Sequence, residues 1–578
     1  MSLDATGGGI ARPPLLRKHA VPASTSLGPR SVWAATAVAA CLAGVYFWWA
    51  ETTATVLFGC AVTFAIAALV VILTGRLLGA VVIAGAGVML IRQASYAKQQ
   101  ATDLSLHAYD LVWLASAWSS IAQLWGDHRG QVVALGTAMI ATAAAAWIAH
   151  RIDGVRISRL HALAAAFGFA GLAVAGAVVK GERRHTELYF ESLYVSFFYA
   201  SWSETLEALW RGGLIEAGNA DDGARIAPNA SCSPATRPPH IILIHQESVS
   251  PPAQFPALAY DRGLDSFFRS ADGKYRKLRV ETYGGASWLT EFSVLTGLST
   301  HSFGGMRQFV QPVLGGKVRD TLPQALARCG YRNVMFYPML KGFLGAGRFF
   351  ERAGITDIRD AKAQGAKLAN ERDRFYYDNA LAETARHLAS SKQPLFLYIQ
   401  TMAAHGPYDY AYMPEVDVPG GGAGTHPEMH EFLRRLAMTR MDYAHLRAEL
   451  ARRFPGRPFL IMHYGDHQPL ATRFLLGFGE DASVEDVLRG GNQAALESYY
   501  TLDTIGYRLP PLAALERVDV PYLGTVLLEA AGLPLSDAYR ERRRLMLLCR
   551  GRYHDCAERE EVLKFHRRLL DSALLDPL

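Results

Sequence analysis

Charge is scarce in this chain: only 19% of its 578 residues are Asp, Glu, Lys or Arg, while 50% are hydrophobic. A soluble protein carries about a quarter charged residues, so the composition argues against a wholly soluble protein. The formal charge of +6 is small for the length. No compact Lys/Arg block stands outside short loops, which argues against a nucleic-acid partner. The six cysteines include no CxxC pair, so a thiolate zinc cluster is not expected. Cys549 and Cys556 are close in sequence and either pair in an oxidising compartment or remain two buried thiols. No repeat of solenoid period is present.

What is abundant is apolar sequence, concentrated before about residue 180. Residues 32–50 and 52–75 are long and apolar apart from Glu51 between them, and each can cross a hydrocarbon core of about 30 Å as a helix of about 20 residues. Residues 77–91 span if extended through Arg92, which snorkels, to Tyr96. Residues 131–149 and 160–179 complete five spans. The run 111–126, between Asp110 and Asp127, is short and reads as interfacial or re-entrant; a sixth crossing there would invert the topology. Arg12, Arg17, Lys18 and Arg30 precede the first span, Arg76 follows the second, and Arg151, Arg156 and Arg159 follow the fourth. The positive-inside rule then puts a 1–30 tail in the cytoplasm and everything beyond a 31–180 transmembrane domain outside. The expected location is the inner or plasma membrane, multi-pass, with the following domain extracytoplasmic (periplasmic). Aromatic residues in 181–216, such as Tyr189, Phe197, Trp202 and Trp210, fit juxtamembrane helices at the bilayer interface; an amphipathic core helix is the alternative. Residues 217–239, rich in Ala, Asn, Asp, Gly and Pro, read as a linker.

From 240 to 578 the pattern changes. Strand-like runs at 240–247, 276–283, 332–338, 394–402 and 457–467 alternate with helical stretches at 287–298, 321–330, 375–391, 426–453 and 520–532. This alternation predicts an α/β domain with a largely parallel sheet. In such sheets reactive groups gather at the carboxyl ends of strands. Glu247 closes the first strand in HQES. Ser287 opens a helix after a Gly-Gly-Ala turn. Asp466 and His467 close the strand that ends in YGDHQP. Two carboxylates, an imidazole and a hydroxyl can surround one divalent cation, and the imidazole suits zinc or manganese better than calcium. A cation beside Ser287 favours its alkoxide, and a helix N-terminus there favours a bound phosphate.

The ordered motifs IILIHQES, GGASWLTEFSVLTGLS, TMAAHGPY and HYGDHQP resemble the sulfatase/alkaline-phosphatase superfamily, in its lipoteichoic-acid-synthase and phosphoglycerol-transferase branch. The resemblance implies an N-terminal α-helical transmembrane bundle plus an α/β alkaline-phosphatase-like (sulfatase) domain. It implies that Glu247, Ser287, Asp466 and His467 hold one divalent metal ion, manganese or zinc with magnesium also admitted. Ser287 is then the nucleophile. His405, in TMAAHGPY, binds the phosphate or protonates the leaving alkoxide. Arg348, in KGFLGAGRFFERAG, matches a substrate-contacting arginine, although its surroundings depart from the pattern. The Glu291-Phe292 spacing fits this branch.

Two departures stand out. The nucleophile is Ser where the lipoteichoic-acid branch usually has Thr, and Tyr337-Pro338 replaces a His often found there. The Cys/Ser-x-Pro-x-Arg signature of formylglycine sulfatases is missing after Ser287, so formylglycine conversion and ordinary sulfate-ester hydrolysis are not expected. The implied partners are a phospholipid donor and an external glycan or glycolipid acceptor, for a membrane-embedded enzyme that transfers a phospho-alcohol such as phosphoglycerol through a phospho-serine. Phosphoethanolamine transfer is the nearest alternative, although several such enzymes carry multiple disulfides that this chain is not expected to match. A phosphodiesterase or sulfuric ester hydrolase, with water as acceptor, is the other.

Overall fold

A computed structural model describes residues 26–52, 55–102, 105–111, 129–178, 193–210, 214–218, 223–227, 232–233, 238–418, 426–513 and 515–576. The run 112–126, most of the tail before 26 and much of 181–239 lie outside these. The chain divides into two compact units.

The first unit is helical. Five of its helices are long and apolar enough to cross a membrane: Pro29–Glu51, Val56–Thr74, Leu77–Gln99, Arg129–Ile152 and Arg159–Ala177. They coincide with the five runs read from the sequence, and the third does extend past Arg92. Their many exposed apolar side chains, among them Leu73, Ile140 and Phe167, are what a helix facing hydrocarbon needs. Polar contacts are few and local. Glu51 accepts a hydrogen bond of 2.8 Å from the Val195 N–H and further bonds from Ser196, so this carboxylate caps the start of the helix Tyr194–Trp210. Asp153 accepts from the N–H groups of Leu78 and Val155.

The second unit is built on one eight-stranded sheet. Its strands are β1 (His240–Gln246), β2 (Arg276–Arg279), β3 (Arg332–Phe336), β4 (Asp357–Arg359), β5 (Leu395–Gln400), β6 (Phe459–Gly465), β7 (Glu497–Ile505) and β8 (Arg517–Asp519). Their order is β4-β3-β5-β1-β6-β7-β2-β8. Only β7 runs against the others, pairing antiparallel with β6 and β2. The expected largely parallel α/β domain is thus present. Strands β4, β7 and β8 were not foreseen. ESYYTLDTI mixes polar and aromatic residues, and its β-branched and aromatic content was the available signal.

The central strands β1, β5 and β6 are buried throughout, as strands covered on both faces must be. Period-two alternation sorts their side chains. Ile241, Leu243, Tyr398, Met462 and Tyr464 enter one core, together with residues of helix α1 (Ser287–Thr296). Ile242, Ile244, Leu397, Ile399 and Ile461 enter the other, against helices α2 (Asp373–Ser390) and α3 (Pro427–Arg453). Of the open cysteine alternatives, Cys549 and Cys556 are paired. A second disulfide, Cys232–Cys329, joins residues 97 apart. The expectation that this domain would lack multiple disulfides is therefore corrected; a pair so distant in sequence is set by the fold.

Candidate metal centre and nucleophile

Glu247, Ser287, Asp466 and His467 come from three separate chain segments and meet at the carboxyl ends of β1 and β6. Parallel pairing of β1 with β6 runs in register to Gln246 opposite Gly465, so the residues that follow, Glu247 and Asp466, emerge side by side. Gly465 makes the turn feasible: a Cβ there would stand 1.9 Å from the Val249 carbonyl oxygen. Ser248 adopts a positive φ of 56° beyond Glu247. Ser287 is raised on a tight turn in which Gly284 and Ala286 have φ values of 66° and 62°. A side chain in this left-handed region costs about 1–2 kcal/mol, which the surrounding packing must offset. The turn aims Ser287 from the N-terminus of α1, where free N–H groups favour an anion.

Ser287 Oγ donates to Glu247 Oε2 at 2.9 Å and lies 3.3 Å from His467 Nε2. His467 Nε2 is 3.2 Å from Glu247 Oε1 and 3.2 Å from Asp466 Oδ2. The other oxygen, Asp466 Oδ1, accepts from the backbone N–H groups of Ser248 and His467, each at 2.8 Å. That leaves Asp466 Oδ2 buried with no hydrogen-bond donor. A buried carboxylate oxygen without a donor is costly unless a cation satisfies it, so the residues present fit a divalent metal ion. His245, on β1, reaches the same place: its Nε2 and one oxygen each of Glu247 and Asp466 lie within 4.8 Å of one another.

The local field is strongly negative. Burial opposes ionisation of Glu247, yet the neighbouring His245 and His467 imidazoles hold its carboxyl well below the usual carboxylate range. Burial likewise opposes a charged His467, but the Asp466 and Glu247 carboxylates outweigh it and raise the imidazole to about 9. Both effects show a pocket that attracts positive charge. Glu291, one turn along α1, is buried and accepts from Gln311 Nε2 at 2.8 Å; burial raises its carboxyl above the ordinary value. Phe292 is core.

His405 follows β5 and is exposed. It is close enough for its charge to help lower Glu247. Its loop is pinned from behind. Arg435 of α3 is 0% exposed and donates to the carbonyls of His405 at 2.5 Å and Pro407 at 2.9 Å. It is paired with Glu431 at 2.7 Å and lies over the rings of Tyr408, Tyr410 and Tyr412. Asp373 of α2 accepts from the Ala403 N–H at 3.0 Å. Neither residue was singled out in the sequence, since an Arg or Asp within a helical stretch carries no signal of the loop it holds. Arg348 lies on the exposed side of the helix Ala346–Arg352. Among the described residues it makes no hydrogen bond or ion pair with the Ser287 cluster, so it is not brought into the group.

A serine at a helix N-terminus, held against buried carboxylates and an imidazole at the carboxyl ends of parallel strands, defines a class of metal-supported serine centres. Residues 239–510 match the family model described as Sulfatase. An uncharacterised protein of Haemophilus influenzae is 23% identical over 356 residues, covering 59% of this chain and 60% of its own length. The chain thus spans about three-fifths of that curated relative. Two solved structures are similar at lower identity. The Streptococcus pyogenes phosphoglycerol transferase GacH, in complex with sn-glycerol-1-phosphate, is 15% identical with a TM-score of 0.44, covering 57% of this chain and 84% of its own. The Neisseria meningitidis lipooligosaccharide phosphoethanolamine transferase EptA is 12% identical with a TM-score of 0.42, covering 87% of this chain and 97% of its own.

Proposed function

We propose that the protein is a membrane-embedded phosphotransferase that moves a phospho-alcohol, phosphoglycerol in the first instance, from a phospholipid to an external glycan or glycolipid. The observation that carries this reading is Ser287 Oγ, set at a helix N-terminus and bonded at 2.9 Å to Glu247. In the first step Ser287 Oγ forms a bond to the lipid phosphorus and the bond from phosphorus to the diacylglycerol oxygen breaks. The Ser287 proton leaves along its hydrogen bond to Glu247. His405 protonates the departing oxygen, and diacylglycerol is released. In the second step an acceptor hydroxyl attacks the phosphorus of phospho-Ser287 and its proton passes to His405. The bond from phosphorus to Ser287 Oγ breaks, and the serine oxygen takes its proton back from Glu247. A divalent cation bound by Glu247, Ser287, Asp466 and His467 would lower the serine's pKa and offset charge on the phosphoryl oxygens.

The five apolar helices suit a donor and a product that both reside in the bilayer. Basic residues before the first and after the second and fourth spans support a cytoplasmic N-terminus and an external domain. Disulfides persist in oxidising compartments, so the two cystines support the same side. The helix Tyr194–Trp210, with Trp210 93% exposed, suits a juxtamembrane segment, and the exposed Arg348 is assigned to substrate contact rather than to metal. The paired cysteines also remove the objection to phosphoethanolamine as the transferred group. The discriminating experiment supplies the purified protein, in detergent with manganese or zinc, with labelled phosphatidylglycerol or phosphatidylethanolamine. Diacylglycerol release with a glycerol-phosphate adduct on Ser287 supports phosphoglycerol transfer, and an ethanolamine-phosphate adduct supports the other headgroup. Turnover to a free phospho-alcohol that added glycan does not divert would mark a hydrolase. No adduct and no diacylglycerol from either lipid would sink the transferase reading.

A further inference from the structure

His245 has a role that the ligand set above does not use. Its ring lies between two tyrosines on neighbouring strands, Tyr398 of β5 and Tyr464 of β6, with centroids 6.5 Å and 5.3 Å away. Its Nδ1 is 3.0 Å from Tyr464 Oη, which is 3.0 Å from Tyr398 Oη. These contacts orient the ring and let Nδ1 carry the proton and donate to Tyr464. The lone pair of Nε2 then faces the cluster. There it stands 3.1 Å from Asp466 Oδ2 and 3.9 Å from Glu247 Oε2. Neither Nε2 nor Asp466 Oδ2 has a hydrogen-bond partner, although His245 is only 1% exposed. Two buried lone-pair donors facing each other need positive charge between them. A metal-ligating histidine characteristically has its second ring nitrogen held by an oxygen, as Tyr464 holds this one.

We propose that His245 is a further nitrogen ligand of the divalent cation, which makes the centre a two-imidazole site. The strand geometry supports it: His245 and Glu247 are two residues apart, so an extended chain turns both to the same side. The inference rests on the cation-binding part of the proposed function and deepens it by bearing on which metal is chosen. A second imidazole favours zinc or manganese and disfavours magnesium, which prefers oxygen. Removing His245 should therefore narrow the gap between zinc and magnesium as well as weaken binding.

The alternative occupant of the space between Nε2 and Asp466 is a proton, which would make His245 an ion-pair partner that only orients the carboxylate. Loss of affinity alone does not separate these, because removing an outer partner also weakens binding by about 10–100-fold. Counting nitrogens does. Full-length protein in detergent would be stripped with chelator and loaded with Mn2+, and imidazole nitrogens on the ion counted by pulsed electron paramagnetic resonance. The expected result is two nitrogens in the wild type and one in each of His245→Gln and His467→Gln. Zn2+ and Mg2+ titrations of wild type and His245→Gln should show zinc losing at least about 10-fold and magnesium clearly less. A single nitrogen in the wild type would overturn the proposal without recourse to a variant that has to fold. No binding of any of the three cations would overturn it together with the metal centre itself. Two nitrogens in a protein that releases no diacylglycerol would leave His245 a ligand and remove the transferase reading instead.

Discussion

The two parts of the candidate site are built to opposite specifications. Glu247, Asp466 and His467 are 6%, 0% and 1% exposed, and strand ends and backbone N–H groups fix them. His405 is exposed, on a loop whose backbone is held by side chains of other helices. The difference follows from their tasks. Groups that hold a cation gain from burial, because electrostatic attraction is stronger where water is excluded. On the proposed function, a group that meets a lipid headgroup and then an acceptor must stay accessible.

The sharpest way to break the buried half is Ser287→Ala. Diacylglycerol release should fall by roughly 10^4-fold or more, since loss of a nucleophile removes the covalent route, while the thermal unfolding temperature stays near that of the wild type. Retained turnover would reject Ser287 as the nucleophile. Asp466→Asn should weaken metal binding by more than the roughly 10–100-fold typical of an outer partner, read by calorimetric titration of stripped protein. Unchanged affinity would mean that Asp466 does not hold the ion.

The accessible half should respond differently. His405→Ala should lower turnover by about 10^2–10^4-fold, the usual worth of a general acid or base, with metal content unchanged. A parallel loss of metal would move His405 into the buried group. Arg435→Met strikes the loop from behind and leaves Glu431 without one of its guanidinium partners. Breaking a buried pair costs about 3–5 kcal/mol, so denaturant unfolding should show a marked loss of stability. The protein that remains folded should bind metal normally but turn over slowly. Full activity would show that the loop does not need its anchor.

Asp373 gives the most specific effect. Burial raises its carboxyl from an ordinary 3.8 to about 7, with the nearby Asp442 adding to it. The unfolded chain releases this proton near 4, whereas the folded chain keeps it to about 7. Folding therefore binds the extra proton between those values, and this group's contribution to stability declines as pH rises through that window. Asp373→Asn stays neutral, so the decline should flatten between pH 4 and 7 in thermal unfolding scans. An unaltered slope would assign the pH dependence to other groups.

Much of this molecule was legible before its structure. Charge-poor runs of about 20 residues specify membrane helices almost on their own, because hydrocarbon imposes a simple length and composition rule. The buried strands announced themselves as apolar runs, and Glu247, Ser287, Asp466 and His467 stood at their ends or at the helix that follows. Strand β7 was missed because it is half polar and runs against its neighbours, so it belongs to no strand–helix alternation. His245 was read only as part of a strand. One histidine in an apolar run looks the same whether it packs in a core or points at a metal.

The sequence by itself determined the division into an apolar helical part and an α/β part, and the residue types available for metal and phosphoryl chemistry, because those follow from local composition and periodicity. Tertiary structure decided which of them meet. Parallel pairing of β1 with β6 brings residues more than 200 positions apart to hydrogen-bond distance, Ser248 and Asp466 at 2.8 Å among them. The tertiary structure also turns His245 toward the same carboxylates, buries Arg435 behind the His405 loop, joins Cys232 to Cys329 and leaves Arg348 outside the Ser287 cluster. Such placements depend on strand order and long-range packing, which no local pattern encodes.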